Sequence, residues 1–296
     1  MRVRFWGVRG STPVPGKGTV RYGGNTSCIE IRSRSGDLVI LDGGTGIRPL
    51  GLELAKSDPL TCAIFITHPH WDHIHGLPFF APLFIPGNTV DIYCPPDPIH
   101  MRGAEYILEN QMIYPHFPIR RAELRADVRL LTLSEGQYVE VGDLTIGNVL
   151  MNHPSMNLGY RVEGDGASLF FTGDHEPFTN VYEPEDSEHA EYQRLVDRRT
   201  ASVDEFVSGV DLLIADGQYS EEEYATRVGW GHSSFGHALD FARRVGSPEL
   251  VLTHHDAIRN DAELDAIDAQ LKKRPEAVGL HVRLAYEGLE MMLGET

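Results

Sequence analysis

Short apolar runs that end in polar or turn-forming residues recur along this chain. The run at 62–66 is continuous and bounded by polar residues, which predicts a buried β-strand. Further runs of this kind predict strands, some joined as hairpins through turns such as Gly164-Asp165-Gly166. Periodic apolar positions predict helices at 47–55, 104–112, 235–245 and 262–272. Because strands alternate with helices in both halves, we expect an α/β fold with two sheets inside and helices outside, in one domain spanning residues 1–296.

Three segments have weaker patterns. The apolar segment 74–84 predicts a helix, in which Pro78 is tolerated only near the first turn. Residues 95–129 include an aromatic, proline-rich loop at 114–118, and residues 180–192 are acidic and irregular, which predicts an exposed loop. The sequence does not show what these two insertions do.

Four side chains with metal-ligand chemistry follow the predicted 62–66 strand within six residues, in the pattern H-x-H-x-D-H. His68 and His70 are two residues apart, so in an extended segment they point to the same side, whereas Asp72 and His73 turn the other way. Imidazole and carboxylate together suit zinc, iron or manganese. The alternative is a polar surface loop, but this spacing is a specific match, and it predicts a metal site.

Four other predicted strands end beside a side chain that could join this site. These side chains are Asp42, His153, Asp174 and His254. A single histidine after a strand is more often a surface or structural residue than a ligand. Together with the motif, however, these residues could complete two open metal sites. A bridging carboxylate would hold two cations about 3.5–4 Å apart, with a shared hydroxide in the open position.

Composition restricts the partners. The formal net charge is −17, which opposes binding to long polyanions or anionic membranes. The three cysteines are few and odd in number, so we expect that the protein has no disulfide framework and that it is located in the reducing cytoplasm. The N-terminal residues lack the pattern of a signal peptide, and no apolar window is long enough to predict a membrane span.

The ligand pattern resembles that of the metallo-β-lactamase superfamily of binuclear hydrolases, over nearly the whole chain. Within it, the chain is most similar to the phosphodiesterase branch that includes the tRNA 3′-processing endonuclease RNase Z. The resemblance implies a four-layer αβ/βα sandwich with two divalent metal ions at one edge, zinc first, with manganese or iron as alternatives. It implies a first metal held by His68, His70 and His153, a second held by Asp72, His73 and His254, and a bridging Asp174. Neighbouring His254 and His255 point oppositely, so only one can be a ligand, and the family pattern favours His254.

A second motif carries the likeness to phosphodiesterases. Gly231-His232-Ser233-Ser234, followed by a helix and a strand that ends at His254, resembles the G-H-S-T segment of that branch. The resemblance implies that His232 protonates the leaving oxygen and that Asp216 orients it, while Asp72 helps to orient the hydroxide.

Three further residues are candidates near this site. Asp42 resembles a carboxylate that orients a ligand imidazole, and a turn-forming aspartate before Gly43 is the equal alternative. Trp71 is a candidate to line the substrate cleft. His116 could line it too, but its aromatic, proline-rich segment favours an exposed surface loop.

The substrate expected from these features is small. RNase Z has a long basic, glycine-rich arm, whereas the 95–129 insertion is short and mixed in charge. We therefore expect a metal-dependent phosphodiesterase acting on a small phosphodiester such as a cyclic nucleotide, with metal-bound hydroxide as nucleophile and His232 as general acid. The alternatives are an ester, lactone or amide hydrolase, an RNase Z-like RNA-processing nuclease, and a metal-loaded binding or sensor protein. The sequence leaves open the substrate, the native metal and the assembly, monomer or homodimer.

Overall fold

The computed structural model describes residues 1–56 and 59–294. The strands in these ranges form two seven-stranded sheets. The first sheet contains β1 (Arg2–Gly7), β2 (Cys28–Arg32), β3 (Leu38–Leu41), β4 (Thr61–Phe65), β5 (Thr89–Cys94), β6 (Asp127–Thr132) and β14 (Glu290–Met292). The second contains β7 (Tyr138–Val141), β8 (Leu144–Met151), β9 (Asn157–Gly164), β10 (Ala167–Phe171), β11 (Leu212–Asp216), β12 (Glu249–Thr253) and β13 (His281–Leu284).

Each sheet combines a parallel and an antiparallel part. The strand orders are β14-β1-β2-β3-β4-β5-β6 and β13-β12-β11-β10-β9-β8-β7. Strands β3 to β6 are parallel, as are β10 to β13, and the remaining neighbours are antiparallel. Carboxyl ends of parallel strands collect at one edge of a sheet, so this topology gathers the polar residues that follow them.

The two sheets pack face to face over a shared apolar core. Phe5 and Phe65 of the first sheet meet Tyr160 and Phe171 of the second, and all four are buried. The Tyr160 hydroxyl donates a hydrogen bond of 2.7 Å to the carbonyl of Ile66, just beyond β4. This bond satisfies the one polar group of the tyrosine and ties the second sheet to the start of the histidine motif.

Helices cover the outer faces of both sheets. They are α1 (Ile47–Leu54), α2 (Trp71–Ile74), α3 (Ala104–Glu109), α4 (His189–Val207), α5 (Glu221–Tyr224), α6 (Phe235–Val245) and α7 (Asp261–Leu271). Helices α1, α2 and α3 bury apolar side chains against the first sheet. Helices α4, α6 and α7 do the same against the second sheet. The arrangement is the αβ/βα sandwich predicted from the sequence.

Helix α6 has clear start and stop signals. The Ser234 side chain accepts a hydrogen bond of 3.2 Å from the His237 N–H, which caps the first turn. The helix ends at Gly246, whose φ of +72° is readily adopted by glycine. The predicted bounds, 235–245, are therefore confirmed.

Two predicted elements differ from the structure. The segment 74–84 was expected to be a helix but forms two 3₁₀ turns, Leu77–Phe79 and Ala81–Phe84. Pro78 and Pro82 lack the N–H groups that a continuous α-helix would need there. The segment 180–192 is predicted to be an acidic loop, but only residues 180–188 are irregular. The 19-residue helix α4 begins at His189. Only Val203 and Val207 of α4 are buried, so its apolar stripe is too sparse to mark a helix in the sequence.

Candidate metal centre

The histidine motif lies where β4 gives way to α2. His70 occupies the position before the helix with extended backbone angles, φ −64° and ψ 152°, and Trp71 starts the helical turn. This change of direction separates His68 and His70 from Asp72 and His73. His68 and His73 are fully buried, whereas His70 is exposed.

Side chains at or just beyond the ends of β4, β8, β10, β11 and β12 converge into three overlapping groups of possible metal ligands. Within each group the nitrogen and oxygen atoms that could bind a cation lie within 4.8 Å of one another. One group contains His68, His70, His153 and Asp174, a second contains Asp72, His73, Asp174 and His254, and a third joins Asp174 and His254 to Asp216 and His232. Asp174 belongs to all three groups. The first two are the ligand sets that the resemblance implies, and the geometry is compatible with them.

Several buried polar atoms of these candidate ligands have no hydrogen-bond partner. They include Nε2 of His68, Nε2 of His73 and Oδ1 of Asp174. His73 Nε2 is 3.1 Å from Asp174 Oδ1, yet the two are not aligned as a hydrogen bond. Burying an unpaired polar atom costs free energy, so several such atoms facing one another fit the coordination of cations. The residues present therefore fit two divalent metal ions.

The protonation states of His68 and Asp174 suit metal binding, whereas His73 and His254 must release a proton, because nearby carboxylates outweigh burial and raise the pKa of both rings. Burial lowers the pKa of His68 well below its usual range, so its imidazole is neutral and keeps a free lone pair. Burial alone would raise the pKa of Asp174, but His254, His73 and His68 outweigh it and hold that pKa well below its usual value. Metal ligands must be a neutral imidazole or an ionised carboxylate, and these two residues meet that condition.

Asp42 contacts the motif from the end of β3. Its Oδ2 lies 2.7 Å from Nδ1 of His73, which donates to it. The carboxylate also accepts the Thr67 N–H at 2.8 Å and the Ser27 hydroxyl at 3.0 Å. Asp42 has a φ of +63°, so it forms the turn as well. The geometry thus favours the imidazole-orienting role, because Nδ1 is engaged and Nε2 of His73 is left facing Asp174.

Replacing Asp42 with asparagine should weaken one metal site. The amide nitrogen would face a donor, either the Thr67 N–H or His73 Nδ1, so His73 would lose its fixed orientation. Affinity for the second Zn²⁺ is expected to fall about 10- to 100-fold. Competition titration against a chelator measures this. Asp37→Asn is the control, because Asp37 lies just before β3 and accepts the N–H of Asp143 at the other end of that strand. Equal affinities in both variants would contradict the orienting role.

The choice between His254 and His255 follows from their contacts. His254 Nε2 lies 3.0 Å from Asp72 Oδ2 and 3.1 Å from Asp174 Oδ1. His255 Nε2 instead lies 2.8 Å from the carbonyl oxygen of Ala285, away from the cluster. Burial lowers the pKa of His255 to about 3, which keeps that ring neutral. His254 has a φ of +60°, a strained conformation that turns its ring toward the centre.

His232 lies at the side of the two ligand groups. Its Nδ1 is 2.8 Å from Asp216 Oδ2, the carboxylate expected to orient it, and its ring lies nearly parallel to that of His254. Burial opposes protonation, but the carboxylates of Asp216 and Asp174 outweigh it and raise the pKa of His232 to about 9. A protonated imidazole therefore borders the candidate metal site at neutral pH.

Comparison with known proteins agrees with this geometry. A family model for the beta-lactamase superfamily domain matches residues 39–255, which include all of the converging side chains. The chain belongs to the beta-lactamase superfamily. The resemblance inferred from the motifs is thereby confirmed, and so is the sandwich fold.

Individual relatives cover most of the chain. A ribonuclease Z of Shouchella clausii is 25% identical over 289 residues, which cover 86% of this chain and 86% of that protein. The metallo-beta-lactamase fold protein YhfI from Bacillus subtilis is 19% identical, with 98% of both chains covered and a TM-score of 0.67. A diphosphatase from the PhnP family is 18% identical, with 99% of this chain and 97% of that chain covered and a TM-score of 0.67. Family membership and the convergent ligands identify this chain as a metal-dependent hydrolase. Among the described helices, none combines the length and apolarity needed to cross a membrane.

The two residues expected to line the cleft share one surface cavity of this superfamily member. Trp71 is 62% exposed, and with Phe79, Phe117 and His116 it lines a cavity of about 420 Å³. Trp71 lies between His70 and Asp72 in sequence, but none of the candidate metal ligands lines this cavity. His116 comes from the 95–129 insertion, so that segment contributes to the wall of the cavity.

Two further residues contact the site but were not predicted from the sequence. The Ser11 N–H, on a backbone with a φ of +64°, donates a hydrogen bond of 2.7 Å to Asp72 Oδ2. The Thr67 hydroxyl lies 3.0 Å from Asp42 Oδ1 and 3.2 Å from His68 Nδ1. Thr67 is inside the motif and could have been suspected, but nothing local connects Ser11 to a residue 61 positions away.

Proposed function

We propose that this protein is a binuclear metal-dependent phosphodiesterase in which His232 is the general acid. The observation that carries the proposal is the placement of His232, whose Nδ1 is paired with Asp216 and lies 3.9 Å from Asp174 Oδ2. When bound, two divalent ions would neutralise phosphate charge and lower the pKa of water. His232 would donate a proton to the departing oxygen, a step that a binding or sensor protein does not need.

The ligand set supports Zn²⁺ as the metal, with Mn²⁺ or iron as alternatives. The two groups combine imidazole nitrogens with carboxylate oxygens. We also propose that the protein works in the reducing cytoplasm, because its three cysteines, Cys28, Cys62 and Cys94, are buried and free.

The relatives support RNA as the leading substrate class. A ribonuclease Z matches most of the chain, which favours the RNase Z-like activity over the small phosphodiester that charge alone suggested. We therefore propose the 3′ region of a precursor RNA as the first substrate to test.

The charges of the 95–129 insertion support a small phosphodiester as a second candidate. Three of its arginines are engaged by carboxylates: Arg120 by Glu123, Arg121 by Glu105 and Glu109, and Arg129 by Asp91. Paired arginines gain less from binding a phosphate backbone, and the net charge of −17 repels long RNA. A small diester would avoid this repulsion.

A substrate panel tests these proposals. Protein reconstituted with Zn²⁺ or Mn²⁺ is assayed on bis-p-nitrophenyl phosphate, a precursor tRNA with a 3′ trailer, cyclic nucleotides, and a lactone and an ester. Turnover of bis-p-nitrophenyl phosphate that a chelator abolishes supports the phosphodiesterase. Cleavage of the tRNA trailer supports the RNA substrate, and turnover of cyclic nucleotides without trailer cleavage selects the small diester. Turnover of the lactone or ester alone, or tight ligand retention without turnover, would refute phosphodiesterase activity.

Trp71→Ala tests whether the aromatic wall binds substrate. Stacking of a base on an aromatic ring contributes about 1–3 kcal/mol, so KM for a nucleotide substrate should rise about 5- to 150-fold with little change in kcat. The control is Tyr138→Ala, which removes another exposed aromatic side chain, on β7. An unchanged KM would exclude the cavity beside Trp71 from substrate binding.

A further inference from the structure

The Glu176 carboxylate is buried two residues beyond Asp174, with only 4% of the residue exposed. Its Oε1 accepts the Gly229 N–H at 2.7 Å and the Tyr224 hydroxyl at 2.8 Å. Its Oε2 accepts the Gly231 N–H at 2.8 Å. Among the described residues no lysine or arginine forms an ion pair with this carboxylate. Its buried charge is therefore stabilised by these three hydrogen-bond donors.

Besides Glu176, the segment 229–232 is held by the Trp230 N–H, which donates to the Arg227 carbonyl at 3.1 Å, and by the pairing of His232 with Asp216. Gly229 and Gly231 have φ values of +86° and +90°, which glycine adopts at little cost but does not enforce. Trp230 between them is 61% exposed and provides no apolar anchor. Hydrogen bonds from backbone N–H groups to a carboxylate are strong, so Glu176 restrains the N–H groups of both glycines.

This segment contacts the candidate metal site at two points. The Gly231 carbonyl accepts a hydrogen bond of 3.0 Å from His153 Nδ1, and His232 is the next residue. A Cβ on Gly231 would lie 2.2 Å from His153 Nδ1, so the backbone approaches that ring closely. A shift of residues 229–232 would therefore reorient the His153 ring and displace His232.

Glu176 also contacts the strand that leads to His153. Its own N–H donates a hydrogen bond of 2.9 Å to the carbonyl of Asn152. One residue thus joins three segments, those that contain Asp174, His153 and His232.

We propose that Glu176 is a positioning residue for His153 and His232. It holds the Gly229–Gly231 backbone so that the Gly231 carbonyl keeps the proton on His153 Nδ1 and leaves Nε2 for the metal. Through the same contacts, Glu176 keeps His232 beside the candidate metal site. The His232 part rests on the proposed phosphodiesterase function, whereas the His153 part concerns metal binding alone.

Glu176→Gln tests the proposal with almost no change in shape. Donors approach both carboxylate oxygens, so the amide nitrogen must face an N–H wherever it is placed, and the segment loses part of its restraint. Zn²⁺ affinity is expected to fall about 10- to 100-fold in chelator competition, as for loss of other groups that orient ligands. In addition, kcat should fall more for phenyl than for p-nitrophenyl phosphodiesters, because a poorer leaving group depends more on the general acid. KM should change little.

Two variants complete the experiment. Asp211→Asn is the control, because Asp211 accepts the Ser168 N–H at the opposite end of β10 and should alter neither quantity. Tyr224→Phe removes one of the three donors, and it should shift metal affinity and leaving-group dependence in the same direction by a smaller amount. It keeps the proposal testable if Glu176→Gln does not fold.

Each result separates the two proposals. If the wild-type protein hydrolyses no phosphodiester, the proposed function fails, while the Zn²⁺ titration still tests the role of Glu176 toward His153. Unchanged Zn²⁺ affinity and unchanged leaving-group dependence in Glu176→Gln would overturn the positioning role. A uniform loss of rate on both substrates, with wild-type Zn²⁺ affinity, would also overturn it, since that pattern means a general loss of folded protein.

Discussion

Replacing Asp174 with asparagine is expected to lower kcat/KM on bis-p-nitrophenyl phosphate by about a thousandfold or more. Asp174 is the only residue common to the two ligand sets that the resemblance implies, and its Oδ1 lies 3.1 Å from both His73 Nε2 and His254 Nε2. An amide binds a divalent cation less strongly than a carboxylate does, so both sites lose affinity together. Two-metal stabilisation of a phosphoryl transition state contributes several kcal/mol, which corresponds to about this loss of rate.

Metal content distinguishes this explanation from misfolding. Elemental analysis after Zn²⁺ reconstitution should find fewer than two ions per chain in Asp174→Asn and two in the wild type. Asp143→Asn is the control, because Asp143 contacts Ser35 at the protein surface, outside both ligand groups. Two tightly bound ions with unimpaired hydrolysis in Asp174→Asn would rule out the bridging role.

His232→Ala is expected to lower kcat for phenyl phosphodiesters by about 10²- to 10⁴-fold. The loss should be much smaller for p-nitrophenyl phosphodiesters, because p-nitrophenolate departs without help from an acid. Metal content should remain that of the wild type, because the Nδ1 of His232 is paired with Asp216 and the residue is in neither ligand set that the resemblance implies, although it lies within reach of Asp174 and His254.

Two more variants sharpen the test of His232. Asp216→Asn should show the same dependence on the leaving group with a smaller loss, because Asp216 orients the ring and favours its protonated form. His189→Ala removes a half-buried histidine at the start of α4, outside the candidate metal site, and should leave both rates unchanged. If His232→Ala slowed both phosphodiesters equally, His232 would act on metal binding or folding rather than on the leaving group.

Local sequence signals were sufficient where one segment defines its own structure. The strand before His68 is a continuous apolar run, and α6 has a capping serine and a terminal glycine at its ends. Such elements depend on neighbours a few residues away, so their positions can be predicted without the fold. Helix α4 was not predicted because only Val203 and Val207 are fully buried and its other apolar contacts, such as that of Phe206 with the second sheet, are partial.

The sequence by itself determined the superfamily, the sandwich fold and a set of candidate ligands, because each of these is encoded in a motif or in an apolar pattern. The tertiary structure decided which of those side chains come together as possible metal ligands. Asp174 meets His68 and His254 only because β10, β4 and β12 end at the same edge. It also assigned the inward direction to His254 rather than His255, and it revealed Glu176 and Ser11 beside the site. Contacts between residues far apart in the chain arise from sheet order and loop closure, and no local pattern specifies them.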